Sequence, residues 1–451
     1  MANTRIGRTV SVAGSRQKAT FSAWIKRTGL GESWIAKFGG NYSQGNYMQI
    51  GFDDTDGCFI IGDTPSSTPR MQSTRIFRDT NAWYNYVVAF DTTQNTASDR
   101  LKFYINGELI TAYGTATYPT LNQNLNFNMT GSYNNAWLGG RGESTYEFNG
   151  LMSHVNWIDG TAYDASAFGS TDSVTGEWKI NTAPSVTYGT NGYFMLKDGN
   201  SLTDASGKGN NFTLLTGTLT DTKDCPDNVF ATMNPLDNYY PNFNLAYGNT
   251  SVGAGNGPRT YLLATMGLAP TGKYYWEIKL QGQSNGASSN SVLFGISQKS
   301  TDSTTEDLTD GVASSTVIDG SGRVYVEGSL AGTFGSSYEP STVMCLAYDA
   351  VNNKMYFGKD GTWLNSGDPT SGSTGTGAFT PTATNGAYNN IYIPCWGVNY
   401  NSGYSVAFNF GNGSFNTSAV SSAGTNASSN GIFEHDVPTG YTALSTKGLN
   451  L

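Results

Sequence analysis

Two histidines, His154 and His435, in 451 residues leave little imidazole for an acid–base or metal centre. His154 lies in MSHVNWID, flanked by alternating apolar positions, and reads as a hydrogen-bonded or solvent-facing strand residue. His435 precedes DVPTGY and reads as a loop residue. No G-x-S-x-G, H-E-x-x-H or Cys/His pairing occurs. Four cysteines, Cys58, Cys225, Cys345 and Cys395, are scattered without metal-ligand spacing. Cys345 in VMCLAY and Cys395 in YIPCWGV sit in apolar runs and read as small buried hydrophobes, with a disulfide between these two as the alternative. Glu277 in YYWEIKL and Glu327 in VYVEGS alternate with apolar neighbours, which predicts outward, solvated carboxylates.

Two other chemistries have the residues they need. Calcium takes about six to eight oxygens, and clustered loop carboxylates can supply them. FDDTDGCF places Asp53, Asp54 and Asp56 in one turn, and KDGNSLTDASG offers Asp198 and Asp204. Aspartate and asparagine before glycine are also the ordinary residues of turns, so a turn without metal is the first reading and a structural calcium the second. Sugar recognition needs an aromatic face against C–H-rich surface and planar polar groups for the hydroxyls. The chain has 27 Tyr and 9 Trp, many in turn-rich stretches such as GSYNNAWLGGRGESTYEF. Trp137, Arg141 and Tyr146 are the ligand candidates there, and Asp360 and Trp363 are those at the hairpin tip of GKDGTWLNSGD. Trp137 alternates with Ala136 and Leu138, so a place in the core is the competing reading.

The elements that must carry these residues are strands. The chain holds 56 Gly and only 13% charged residues, against roughly 25% in ordinary soluble domains. Few Lys and Glu remove the best helix formers, while Gly, Ser, Thr, Asn and Tyr supply turns and strands. Period-two runs recur: SWIAKFG, YMQIGFD, WYNYVVAFD, LKFYINGELI and GLMSHVNWIDG, with turn signals between them. Asn106-Gly107 inside LKFYINGELI predicts a tight hairpin, because a type I′ turn needs positive φ at both central residues. Seven or more such strands imply two sheets packed face to face. The net charge is −9, and no run of Lys or Arg could neutralise a phosphate backbone, which argues against nucleic acid as partner. ANTRIGRTVSVAGSRQKAT lacks the apolar core of a secretion signal, and no stretch reaches the ~18 apolar residues of a membrane span. A soluble, all-β chain that folds where it is made is the expectation.

The order of motifs is more specific than any one of them. FSAWIKR, WYNYVVAFD, LKFYINGELI and FNGLMSHVNWIDG resemble, over about residues 1–180, the laminin-G-like, concanavalin-A-like jelly roll. GKYYWEIKL, SVLFGIS, the hairpin CLAYDAVNNKMYFGKDGTW, IYIPCWGV and YSVAFNFG resemble in order the landmarks of a SPRY domain between residues 273 and 444. In that second stretch the family pattern is interrupted by an acidic, Ser/Thr-rich insertion at 302–319. These likenesses imply two antiparallel β-sandwich jelly rolls in tandem. The expected segments are an N-terminal docking segment and first strand (1–20), a laminin-G-like jelly roll (21–182), a bridge (183–240) and a SPRY-like sandwich (241–451). The bridge's first strand, 192–197, is expected to return to the first sandwich. The stretches 416–431 and SGDPTSGSTGTGAFTPTATNGAYNN read as long exposed loops.

With the join PDNVFATMNPLDN between the two modules, the arrangement is similar to fibre and adhesin proteins of tailed bacteriophages. That resemblance implies a non-enzymatic virion component on the tail or head surface, made in the host cytoplasm. Its partners would be other virion proteins and a host-surface glycan or protein, and its assembly a homo-oligomer, with a trimer favoured. The alternative is a capsid decoration or tail adaptor touching only virion proteins. A polysaccharide depolymerase ranks third, since concanavalin-A-like glycosidases carry an E-x-D-x-x-E run that this chain lacks. No cofactor is expected beyond the structural calcium already considered.

Overall fold

The computed structural model describes residues 4–450 except 42, 44, 54–57, 65–69, 143–145, 237–242, 255–258, 284–291, 299–307, 310–313, 336–337, 383–390 and 400–403. The chain forms two compact units, Met1–Asp221 and Thr222–Leu451. Both are all-β sandwiches. Among the described residues no helix is long and apolar enough to cross a membrane.

In the first unit an eight-stranded sheet runs in the order Tyr113–Thr117, Arg70–Ile76, Cys58–Thr64, Tyr47–Phe52, Ser33–Gly39, Asn135–Leu138, Arg5–Thr9, Thr213–Thr216. A six-stranded sheet faces it, in the order Tyr193–Met195, Gly150–Asp159, Lys18–Arg27, Trp83–Asp91, Leu101–Ile105, Glu108–Leu109. The period-two pattern decides which side faces in. From Lys18–Arg27 the residues Ala19, Phe21, Ala23 and Ile25 enter the core, where they meet Val88, Phe90, Phe38, Met48 and Trp157. The other side of that sheet is covered too, by a second cluster of Val87, Ile158, Phe168, Tyr188 and Phe194. This second cover is why the strand's polar residues Thr20 and Ser22, which pair with Ile158 and Val87, are also buried. Asn106 (φ 47°) and Gly107 (φ 81°) form the expected tight hairpin between Leu101–Ile105 and Glu108–Leu109.

In the second unit one sheet runs Phe243–Ala246, Ser251–Ala254, Tyr404–Asn409, Lys273–Gln283, Val343–Asp349, Lys354–Lys359, Thr362–Trp363, with Thr442–Ala443 added parallel to Lys273–Gln283. The facing sheet runs Arg259–Leu263, Ile393–Asn399, Val292–Ser297, Thr316–Asp319, Arg323–Val326, Ser329–Thr333. Trp276, Ile278, Leu280, Leu346 and Phe408 from one sheet pack on Phe294, Ile296, Trp396 and Val398 from the other.

The structure keeps some sequence expectations, the return of the 192–197 strand to the first sandwich among them, and changes others. The N-terminal strand Arg5–Thr9 is built into the sheet between Asn135–Leu138 and Thr213–Thr216. Tyr193–Met195 pairs with Gly150–Asp159 in the first unit. The chain passes between units at Asp221/Thr222, inside the expected 183–240 bridge and ahead of residue 241. The reason is pairing: Thr213–Thr216 is held by Arg5–Thr9, while Lys223 N–H donates to Asn412 O and Ala231 N–H to Leu444 O in the second unit. Cys345 belongs to a cluster outside one sheet, with Tyr275 and Tyr356, and Cys395 to a cluster outside the other, with Leu293 and Val317. Packed sheets lie roughly 10 Å apart, and a disulfide needs Cα atoms within about 7 Å, so these two thiols cannot join. Both are free and buried. Part of the 302–319 insertion lies outside the described residues, but Thr316–Asp319 is a buried strand. The stretch after Trp363, expected to be an exposed loop, contains a short 3-10 helix, Pro369–Thr374, and Phe379 enters the core.

Candidate functional site

The strands Arg5–Thr9, Asn135–Leu138 and Thr213–Thr216 lie side by side, with Gly7 opposite both Trp137 and Thr213. Ile6, Ala136 and Leu138 point into the core, which turns Trp137 to the outer face of the sheet. Glycine at position 7 makes room for it: a Cβ there would stand 2.5 Å from Trp137 Cδ1 and 2.7 Å from Leu215 Cδ1. Trp137 is half-buried, not core. It lies over Lys37, whose Nζ sits 4.1 Å from the ring centroid, and the Arg5 guanidinium lies 4.7 Å from the same ring.

Beside Trp137 opens a cavity of about 640 Å³ lined by Arg5, Gly7, Arg8, Thr9, Asn135, Trp137, Gly209, Asn210, Asn211, Thr213 and Leu215. Its positively charged groups are held in place. Arg5 Nη1 donates to Glu147 Oε1 at 2.7 Å. Arg8 Nη2 donates to Asn210 Oδ1 at 2.5 Å. Asn210 is itself fixed, its Nδ2 donating to Thr190 O and Gly192 O and its N–H to Asp204 Oδ2. The side chains of Thr9 and Asn135 make no hydrogen bond within the described protein. The lining therefore combines a ring, an exposed leucine, free amide and hydroxyl groups and two guanidinium groups. No histidine, cysteine or carboxylate lines it, so this lining contains no acid–base pair.

The other predicted residues fall in different surroundings. Arg141 is buried, bound to Glu32 Oε1 at 3.3 Å, and lies 4.3 Å from the Tyr146 ring centroid and 5.5 Å from that of Trp34. Arg141 and Tyr146 thus form a packed box beside the cavity and do not line it. Trp363 does not project from its hairpin. It folds back edge-on against Tyr275 (6.3 Å) and Tyr356 (6.4 Å). Asp360 (φ 48°) is exposed, but its Oδ1 accepts from Val343 N–H at 2.9 Å and so ties the hairpin tip to the strand Val343–Asp349.

Of the proposed calcium ligands, Asp54 and Asp56 lie outside the described residues, and Asp53 is partly exposed. Asp204 is buried with both oxygens engaged, accepting from Phe194 N–H, Ser206 N–H, Ser206 Oγ and Asn210 N–H. That carboxylate is a turn-former with no lone pair to spare, and Asp198 is exposed. Among the described residues no group of three or more His, Cys, Asp and Glu is placed to hold a metal.

Glu277 corrects a sequence reading outright. It faces outward from its sheet, yet it is fully buried, because residues 424–437 lie across that face with Phe433 and Val437 packed on it. Its Oε1 accepts from Tyr275 Oη (3.0 Å) and His435 N–H (2.8 Å), and its Oε2 from Glu434 N–H (2.9 Å) and Asn409 Nδ2 (3.2 Å). Burial pushes the carboxyl up to about 7, and the four hydrogen bonds only partly oppose it. Glu327 sits at a turn (φ 45°), half-exposed. His154 (φ 49°) sits at a bulge in Gly150–Asp159, with Nδ1 2.7 Å from Ser153 Oγ. Burial and the nearby Lys197 lower its pKa to about 4.

Sequence reasoning found Trp137 from composition and turn context but missed Arg5, Arg8, Asn135 and the 209–211 turn. RIGRT is too short to reveal which strand it joins, and DASGKGNN reads only as a turn cluster.

Residues 5–168 match the Laminin_G_3 family, the concanavalin A-like lectin/glucanases superfamily. No curated protein matches the chain. Among solved structures the chain is similar to the SPRY domain of human HERC1, at 19% identity over 39% of this chain and 96% of that one, with a TM-score of 0.30. It is also similar to the native heptameric SAP-like pentraxin from Limulus polyphemus (14% identity, 36% and 72% covered, TM-score 0.26). A third is the TRIM65 PSpry domain (14% identity, 40% and 89% covered, TM-score 0.28).

Proposed function

We propose that the chain is a non-catalytic recognition protein that binds a glycan in the cavity beside Trp137. The observation that carries this reading is the lining itself. A half-buried tryptophan stands next to an exposed leucine, unengaged amide and hydroxyl groups, and guanidinium groups, with no histidine, cysteine or carboxylate among them. An aromatic ring supplies the apolar contact for a sugar's C–H face, and planar amides fix its hydroxyls. A rigid sheet holds these groups before any ligand arrives, which lowers the ordering cost of binding. The setting we propose is a fibre or adhesion subunit on a tailed-phage particle, supported by the order of the two sandwich modules and the join between them.

A glycan array probed with the intact chain tests the site. Binding to at least one glycan class is expected, with the bound glycan recovered uncut. Trp137→Ala should weaken it tenfold or more, about 1.4 kcal/mol or above. A blank array, or full binding by Trp137→Ala, overturns the reading. Gold-labelled antibody on intact particles tests the setting, with distal labelling expected and no labelling contradicting it.

A further inference from the structure

Arg8 is the charged group in the cavity whose chemistry is least satisfied. Its guanidinium is half-buried and anchored by Asn210 Oδ1 alone, and Nη1 is buried without a hydrogen-bond partner. Among the described residues no carboxylate lies within ion-pair distance of it. Burial disfavours its charged form, and Asp204 and Tyr193 only partly offset this from a distance. Arg5 brings a second guanidinium to the lining, paired with Glu147. The nearest carboxylates, Glu147 and Asp204, are bound to the protein and do not line the cavity. The charged side chains of the lining, Arg5 and Arg8, are thus both cationic, on a chain of net charge −9.

Resting on the reading of this cavity as a glycan site, we infer that it selects carboxylated saccharides, with the carboxylate of a uronic or sialic acid residue against the Arg8 guanidinium and the sugar ring against Trp137. Asn210 fixes the Arg8 charge at the lining, and in a half-buried site its attraction for a carboxylate is less screened than on an open surface. The free Thr9 and Asn135 side chains then meet the hydroxyls around the acid group.

The test uses the full chain and paired probes: polygalacturonate, alginate, hyaluronan and polysialic acid oligosaccharides, each beside its carboxyl-reduced copy, with neutral mannan and galactan oligosaccharides. At least one acidic probe should bind tenfold or more tighter than its reduced copy. Arg8→Met should erase that ratio while retaining weak binding of the reduced sugar. Arg8→Lys, which keeps the charge and loses the guanidinium's anchor on Asn210, should fall between the two, and it guards against a folding failure of Arg8→Met. Equal binding of acidic and reduced copies, or a ratio that survives in both Arg8 variants, overturns the inference and leaves the glycan reading standing. Binding to none of the probes, reduced and neutral ones included, removes both.

Discussion

Raising the pH from about 4.5 to 7 should weaken the second unit, and the cause is one side chain. Glu277 carries no cation within ion-pair distance among the described residues, and all four of its hydrogen-bond partners are neutral. Its pKa rises from an ordinary 4.5 to about 7 in the fold, since burial outweighs those hydrogen bonds. Between these values the folded unit holds a proton that the unfolded chain has released, so stability falls as pH rises. A gap of about 2.5 pH units at roughly 1.4 kcal/mol each comes to about 3 kcal/mol. Asp349 and Asp436 have lowered pKa values, so their contributions are complete above the unfolded aspartate range and leave this window to Glu277. The assay is hydrogen exchange by mass spectrometry across a urea series, at pH 4.5 to 8, reading the amides of Val343–Asp349 after correction for intrinsic rates. Wild type should lose about 3 kcal/mol over the window, and Glu277→Gln should lose almost none of it. A flat wild-type profile, or a slope that persists in Glu277→Gln, would refute the argument that an uncompensated carboxyl lies under residues 424–437.

The first unit should respond to pH in the opposite sense. His154 is held near pKa 4, so below about 6.5 the unfolded chain takes up a proton that the fold refuses, and stability is lost as pH falls from 6.5 to 4. After solvent screening the loss is of order 1–2 kcal/mol, and His154→Gln should remove it in an exchange experiment on the amides of Gly150–Asp159. Gly107→Val should cost the first unit about 2–3 kcal/mol in urea unfolding, because a Cβ at φ 81° would run into the Trp178 ring, whose Nε1 is bonded to Asn85 Oδ1 at 3.2 Å.

Local signals survived well from sequence to fold. The Asn106-Gly107 hairpin is written in two adjacent residues, and the alternation of Lys18–Arg27 or Lys273–Gln283 fixes which side chains meet the core. What alternation cannot say is whether the outer face is covered. Glu277 was legible as outward-facing, but its cover comes from Glu434 and His435, about 157 residues further along the chain. Trp137 and Trp363 looked alike as aromatics in turn-rich stretches. One has Gly7 beneath it and stays at a cavity, while the other has Tyr275 and Tyr356 to fold onto. The cavity joins Arg8 to Asn210 across 202 residues of sequence, a pairing no short motif announces.

The account stands on the cavity beside Trp137 being where a glycan sits. The most direct check is hydrogen exchange on the intact chain, with and without a saturating concentration of the tightest array ligand. Slowed exchange concentrated at Arg5–Thr9, Asn135–Leu138 and residues 209–215 is the predicted result. Protection confined to any other surface, with these three segments unchanged, would contradict it.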